Sequence, residues 1–381
     1  MARIVIGSYM IRYPLGGMVS WVLQYLVGFQ RLGHDVWFVE RADWPDACFD
    51  PVRGLMTDDP SAGITAVAPL LDCFGLRDHW CFVDRFGRSY GVPLSEMHDV
   101  LERTDLYIDM GVHGGWSEEA ASAGRSVLID GEPGFTQMKM VQREGTPAQL
   151  PPYDSYYSTG RNIGTPASSA PSAGKAWRPL FHPVVLDLFP ATPVPEGAPI
   201  TTVMNWQSYE PLVFEGTEYG HKAPEFERFL DLPGRCRSQL EAAVAGHAVP
   251  WDRLHAHGWR TRNAHDVTRS FDAFREYIQG SSAEFGVCKS GYVATHSGWF
   301  SDRSAAYLAS GRPVVLQDTG FGDHLPTGRG LFAAATVDQA AAAIGEIEAD
   351  PVRHSRWARE VAAECLEASV VLPRFLVEVG L

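Results

Sequence analysis

The stretch FGVCKSGYVATHSGWFSDRSAAYLASGRPVVLQDTG (residues 285–320) decides the fold of this chain. It joins a glycine-containing loop carrying Lys289 to a helix start, a helix and a short buried strand. Ser301 and Asp302 are N-cap residue types and stand just ahead of the run Ala305, Ala306, Leu308 and Ala309. Gly311 is suited to end that helix, and residues 313–316 read as a strand. The first turn of such a helix presents unpaired N–H groups at the positive end of the helix dipole, with Lys289 and Arg303 close by in sequence. This arrangement can hold an anion the size of a diphosphate.

The beginning of the chain has the same grammar. Residues 3–9 (RIVIGSY) predict a buried strand, and residues 11–17 a loop ending in Gly16-Gly17. From residue 18 to 32 apolar side chains recur at helical spacing (Val19, Val22, Leu23, Leu26, Phe29, Leu32). Gly33 then closes the helix, and residues 36–39 form a second strand. A strand, helix and strand so joined give a right-handed crossover in a parallel sheet. Further strands at 106–110 and 126–129 run into the glycine loops GVHGG and DGEPG, at the carboxyl ends of strands where open α/β sheets bind ligands. Residues 141–176 read mostly as loop. The text PVVLDLFPATPVPEGAP near 184–199 carries five prolines and is the best linker. Beyond it the pattern restarts, with strands at 200–204 and 253–259 and helices at 225–230, 237–244, 270–278, 337–347 and 356–368. The expected architecture is α/β, two Rossmann-like domains in tandem.

Bulk properties narrow the partners. A chain of 381 residues exceeds one ordinary core. A formal net charge of -14 argues against nucleic acid and anionic membranes, which attract basic faces. The six cysteines show neither CxxC pairs nor zinc spacing, which suits reduced thiols in a cytoplasmic protein. The longest apolar run, 18–29, is interrupted by Ser20 and Gln24 and is too short to span a bilayer. A small-molecule partner is expected. Only four of the 32 basic residues are lysines, and Lys222 and Lys289 stand in glycine-flanked loops, where a compact ammonium differs in use from a guanidinium fork. The plainer alternative is that both are ordinary solvated lysines.

A nicotinamide enzyme would need G-x-G-x-x-G directly after the first strand, and the chain offers Pro14-Leu15-Gly16-Gly17 some residues later, without that spacing. There is no Walker A motif and no G-x-S-x-G elbow. The text PLGGMVSWVLQYLVGFQRLGHDVWFVE, by contrast, resembles the first βαβ unit of two-domain glycosyltransferases of the GT-B fold. RSAAYLASGRPVV resembles their donor-site helix, and LPTGRGLFAAATVDQAAAAIGEIEADPVRHSRWAREVA their C-terminal helices. The resemblance covers about the first 40 residues and most of 200–370. It implies two Rossmann-like domains facing across a cleft: an acceptor domain at 1–190, a nucleotide-sugar donor domain at 191–365, and a helix at 366–381 returning to the first domain. The group-1 members carry two glutamates eight positions apart, and the corresponding positions here are Gly298 and Ala306. Arg303, three before the second of them, makes the segment similar to the divergent spore-coat-maturation branch. Sugar recognition by the glutamates and the retaining stereochemistry that goes with them do not carry over.

Cleaving a nucleoside-diphosphate sugar builds negative charge on the diphosphate, which preorganised donors and cations stabilise. The candidates for that place are Lys222, Lys289, Arg303, the N–H groups near Ser304, and Gly16 and Gly17 across the cleft. Gly16-Gly17 as an ordinary turn and Arg303 as an exposed helix-start arginine remain alternatives. For the acceptor hydroxyl, His113 and Asp130 each follow a strand, where a base would stand, although both equally suit structural roles. Trp259 and Arg260 could line the base pocket, or Trp259 could pack under the sheet. Asp130 and Glu132 without further ligands are a weak metal signal, and with cations at hand no metal and no cofactor beyond the nucleotide-sugar co-substrate is expected. The reading is metal-independent glycosyl transfer to a small-molecule or glycan acceptor, in a setting such as secondary metabolism. Its rivals are a nucleotide-sugar 2-epimerase of the same fold and a non-catalytic nucleotide-sugar or glycan-binding protein.

Overall fold

The computed structural model describes residues 1–111, 115–207 and 210–381. Two parallel sheets dominate it. The first has eight strands in the order Trp177–Pro179, Ser155–Ser158, Ser126–Asp130, Leu106–Met110, Arg3–Gly7, Asp35–Arg41, Trp80–Val83 and Ser89–Gly91. Only its last pair is antiparallel. The second has six strands, all parallel, in the order Arg260–Asn263, Leu240–Ala245, Ile200–Asn205, Ala283–Gly286, Val314–Gln317 and Leu331–Ala334. In each sheet the first strand in sequence lies inside, and later strands add on both sides of it. Each sheet therefore has a topological switch point, beside Leu106–Met110 in the first and beside Ala283–Gly286 in the second.

The central strands are buried on both faces, as strands between two helix layers must be: Ile4, Val5 and Ile6 are fully buried. The helix Gly16–Arg31 is buried along most of its length, because it lies between the sheet and the last helix, Ala368–Glu378. Leu372 meets it where Gly28 leaves room, and Phe375 packs on Phe29. Its polar residues are absorbed locally, Gln24 Oε1 accepting from Val185 N–H at 2.6 Å.

Three expected elements differ. Residues 240–245 form a strand where a helix is expected, because LEAAVA is buried along nearly its whole length in the middle of a sheet, and that burial outweighs the helical propensity of alanine. Residues 251–256 form a helix where a strand is expected; Gly258 in left-handed backbone (φ 86°) turns the chain, and the strand begins only at Arg260. The helix Pro351–Val361 continues as a π-helical turn, Ala362–Leu366, before the chain breaks at Glu367. Among the described residues no helix is long and apolar enough to cross a membrane.

Candidate functional site

The carboxyl ends of the two sheets face one another across a cavity of about 330 Å³. The first half contributes Tyr9, Gly17, Trp21, Glu132, Thr136 and His182, and the second Asn205, Lys222, Lys289, Tyr292, Asp302 and Arg303. Tyr9 and Gly111 follow the two strands at one switch point, and Asn205 and Lys289 end or follow the two strands at the other.

Three of the cations named from sequence meet here. Arg303 is no exposed helix-start arginine: its side chain is 11% exposed, Nε–H donates to Glu284 Oε1 at 2.5 Å, and Nη1–H donates to Val203 O at 2.8 Å. Glu284 is fully buried on the strand beneath, and one guanidinium nitrogen, Nη2, has no hydrogen-bond partner among the described residues. Lys222 is partly buried ahead of the short helix Ala223–Glu227, and its side chain makes no hydrogen bond or ion pair among the described residues. Burial, with the Arg303 charge adding to it, lowers its pKa to about 7. Lys289 crosses the cleft: its Nζ lies 2.6 Å from both carboxylate oxygens of Glu132. The helix Asp302–Ala309 supplies the fourth positive element. Ser301 makes no side-chain cap, and the first intrahelical bond is Ala305 N–H to Ser301 O, so the N–H groups ahead of it have no intrahelical partner. Ser304 is fully buried, backbone included, and does not line the cleft; of this first turn Asp302 and Arg303 do.

The glycine pair divides. Gly17 lines the cleft. Gly16 does not: a Cβ there would lie 2.3 Å from Ser270 O and 2.5 Å from Phe274 Cβ, so it is one of the points where the two halves touch. Asp130 is fully buried and does not line the cleft; it accepts hydrogen bonds from Glu132 N–H, Thr136 Oγ1, Gln137 Nε2 and Ser158 Oγ at 2.5–2.8 Å. Its carboxylate is committed to shaping the turn that places Glu132 and Thr136 in the cleft, which corrects the reading of Asp130 as a base. Burial raises its pKa, and these donors pull it back. His113 lies outside the described residues. Trp259 and Arg260 are also corrected: Trp259 is 3% exposed, packs on Phe226 and Phe285 and donates Nε1–H to Leu230 O, while Arg260 lies out on the strand, paired with Glu241. The stretch expected as a strand at 253–259 is a helix and a turn, and the strand begins only at Arg260, so Trp259 packs beneath the sheet instead of standing at a strand's end.

The absent glutamates have a steric explanation. Gly298 has φ 72°, and a Cβ there would sit 2.9 Å from Asn162 N, so the first half closes over that position. Ala306 is 1% exposed within the core, where a carboxylate would be stranded. Sequence reasoning missed Trp21, Thr136, His182 and Asn205 as cleft residues, because each reaches the cleft only through the packing of distant segments.

Neither a protein-family model nor a curated protein sequence matches the chain. Solved structures do. An alpha-glucosyltransferase in complex with UDP and a 13-mer DNA is 9% identical over 99% of this chain and 98% of its own, with a TM-score of 0.60. Anabaena HepE in complex with UDP-glucose is 11% identical over 100% and 99%, with a TM-score of 0.56. AviGT4, a glycosyltransferase involved in avilamycin A biosynthesis, is 12% identical over 99% and 97%, also at 0.56. The chain has the α/β GT-B fold of these glycosyltransferases along its whole length, as the motifs around residues 16–40 and 303–315 led one to expect.

Proposed function

We propose that this chain transfers a sugar from a nucleoside-diphosphate sugar to a hydroxyl of a small-molecule or glycan acceptor. The observation that carries the reading is the convergence of Lys222, Lys289, Arg303 and an uncapped helix start on one interdomain cleft. In this reading the donor nucleotide lies against the 191–365 half and the acceptor enters along the 1–190 half. The bond from the anomeric carbon to the diphosphate oxygen breaks with its electron pair going to the diphosphate. The cations and helix N–H groups are already in place for that charge, and the acceptor oxygen bonds the anomeric carbon as its hydroxyl proton is released to solvent. Arg303 is held rigid by Glu284, and the Lys222 side chain is tied up in no ion pair among the described residues. Lys289 must trade Glu132 for the diphosphate, which couples donor binding to the release of a carboxylate on the acceptor side. With three cations at the leaving group, the reading needs no metal ion there. UDP and UDP-glucose, found in the structures of the fold relatives, are the first donors to try.

A thermal-shift and calorimetric screen of nucleotides and nucleotide sugars tests it. A nucleoside diphosphate should raise the melting temperature. Lys222→Ala and Lys289→Ala should each weaken its binding about tenfold or more, on the scale of a lost charge-assisted hydrogen bond. Absence of a shift with every diphosphate, or unchanged affinity in both variants, sinks the assignment. Release of nucleoside diphosphate only when an acceptor hydroxyl is supplied separates transfer from donor isomerisation.

A further inference from the structure

The cations of the cleft account for a diphosphate and leave the sugar beyond it unrecognised. The positions that carry glutamates in similar chains hold Gly298 and Ala306, and neither has room for a longer side chain reaching the cleft. Of the polar groups of the cleft that have no role so far, two form a complementary pair.

The first is His182, just beyond the strand Trp177–Pro179 and 5% exposed. Its Nδ1 lies 3.2 Å from Nε1 of Trp21. An indole N–H only donates, so Nδ1 must present its lone pair, and the neutral ring then carries its proton on Nε2. Burial lowers the pKa of the ring and favours that neutral form, although the Asp302 charge acts the other way. His182 lines the cleft and makes no second side-chain hydrogen bond among the described residues, so Nε2–H is a donor of assigned tautomer for whatever the cleft holds. The second group is Asp302, on the opposite wall at the start of the helix Asp302–Ala309. It also lines the cleft, and its carboxylate makes no hydrogen bond or ion-pair contact among the described residues, although its charge is felt by Arg303 and His182. It can only accept. A carboxylate in a first helical turn is ordinarily explained by the helix dipole, but such a residue need not line a ligand cavity.

Sugar hydroxyls both give and take hydrogen bonds. A fixed donor on one wall and an acceptor on the other are complementary to them, and a site built this way loses much of its affinity when one member is removed. Resting on the reading of the cleft as a nucleotide-sugar site, we infer that His182 and Asp302 are the pair that reads the hydroxyls of the transferred sugar, from positions different from the glutamates this chain lacks.

Calorimetry with UDP, GDP and dTDP and with their glucose conjugates tests it. Asp302→Asn and His182→Ala should leave diphosphate affinity within about twofold of wild type and weaken the matching nucleotide-glucose about tenfold, the scale of one lost polar contact. Trp21→Phe keeps the ring but removes the N–H that fixes the tautomer, and should weaken the glucose conjugate alone by about two- to threefold. Should His182→Ala fail to fold, Asp302→Asn, which alters a partly exposed side chain, and Trp21→Phe still decide. If wild type binds diphosphate and conjugate and the variants change both equally, or neither, this inference falls while the site assignment stands. If wild type binds none of the six compounds, both fall.

Discussion

The two walls of the cleft are built from the same element, the carboxyl end of a parallel sheet, and they treat charge in opposite ways. On the second-half wall two cations are kept available: Arg303 is anchored by a carboxylate beneath it, and the Lys222 side chain forms no ion pair among the described residues. On the first-half wall charge is consumed by the fold: Asp130 is filled by four donors and Glu132 is taken up by Lys289 from across the cleft. The difference teaches that a charged residue after a strand marks a site only when the surrounding turn leaves it something to bind. Asp130 and Arg303 look equally well placed in sequence, and hydrogen-bond accounting separates them.

The largest expected effect breaks the second wall. Arg303→Ala removes the partner of a fully buried carboxylate, Glu284, and leaves it uncompensated. The expected loss is about 3–5 kcal/mol of stability, read as a shift of the urea midpoint at constant slope. Arg303→Lys retains a charge but not the planar contact to both Glu284 and Val203, and should recover only part of it. A loss below about 1 kcal/mol in Arg303→Ala would mean that the wall does not depend on the ion pair.

What the sequence revealed follows the same division. Local signals sufficed for the strand-loop-helix units: the period of Val19, Val22, Leu26 and Phe29, and the run from Ser301 to Gly311, both form the expected helices. They failed where alanine's helical preference competed with two-sided burial, at residues 240–245, and where a short polar text could be helix or strand, at 251–256. Of the site, the cations on loops were legible because lysine is scarce in this chain. Trp21 and His182 were not, since their meeting joins residues 161 apart through the packing of a whole domain. Trp259 was misplaced by the same error at 251–256: with a helix and a turn in place of the expected strand, its side chain lies in the core and not in the cleft.

The adjacent glycines sharpen the comparison at the line where the walls touch. At Gly16 a methyl group would meet the backbone oxygen of Ser270, which cannot step aside as a side-chain end can. Gly16→Ala should therefore cost about 1–3 kcal/mol or force the halves apart. At Gly17 the nearest atoms, those of the Phe274 ring, are 4.0 Å away. Gly17→Ala should be neutral or stabilising by up to about 1 kcal/mol, from helix propensity. Equal melting temperatures in the two variants would show that the contact between Gly16 and Ser270 yields freely, and that the cleft is not held at that point.

The smallest effect in stability is the most informative about ligand. Lys222 in the fold has a pKa near 7, well below its ordinary value. Between those two values the folded protein binds fewer protons than the unfolded chain, so the penalty of burying this lysine is complete below about pH 7 and is relieved as pH rises. Lys222→Met should thus be more stable than wild type at pH 6, by about 1 kcal/mol or less given the partial exposure of the side chain, and the gap should close toward pH 10. A diphosphate favours the ammonium form and reverses the balance. At pH 8 its binding should draw a proton onto Lys222, so that the calorimetric heat differs between buffers of unlike ionisation enthalpy in wild type and not in Lys222→Met. Heats that are independent of buffer in both proteins would mean that the lysine is already charged before the ligand arrives. The second wall would then be fully positive at rest, and the availability of its cations would owe nothing to burial.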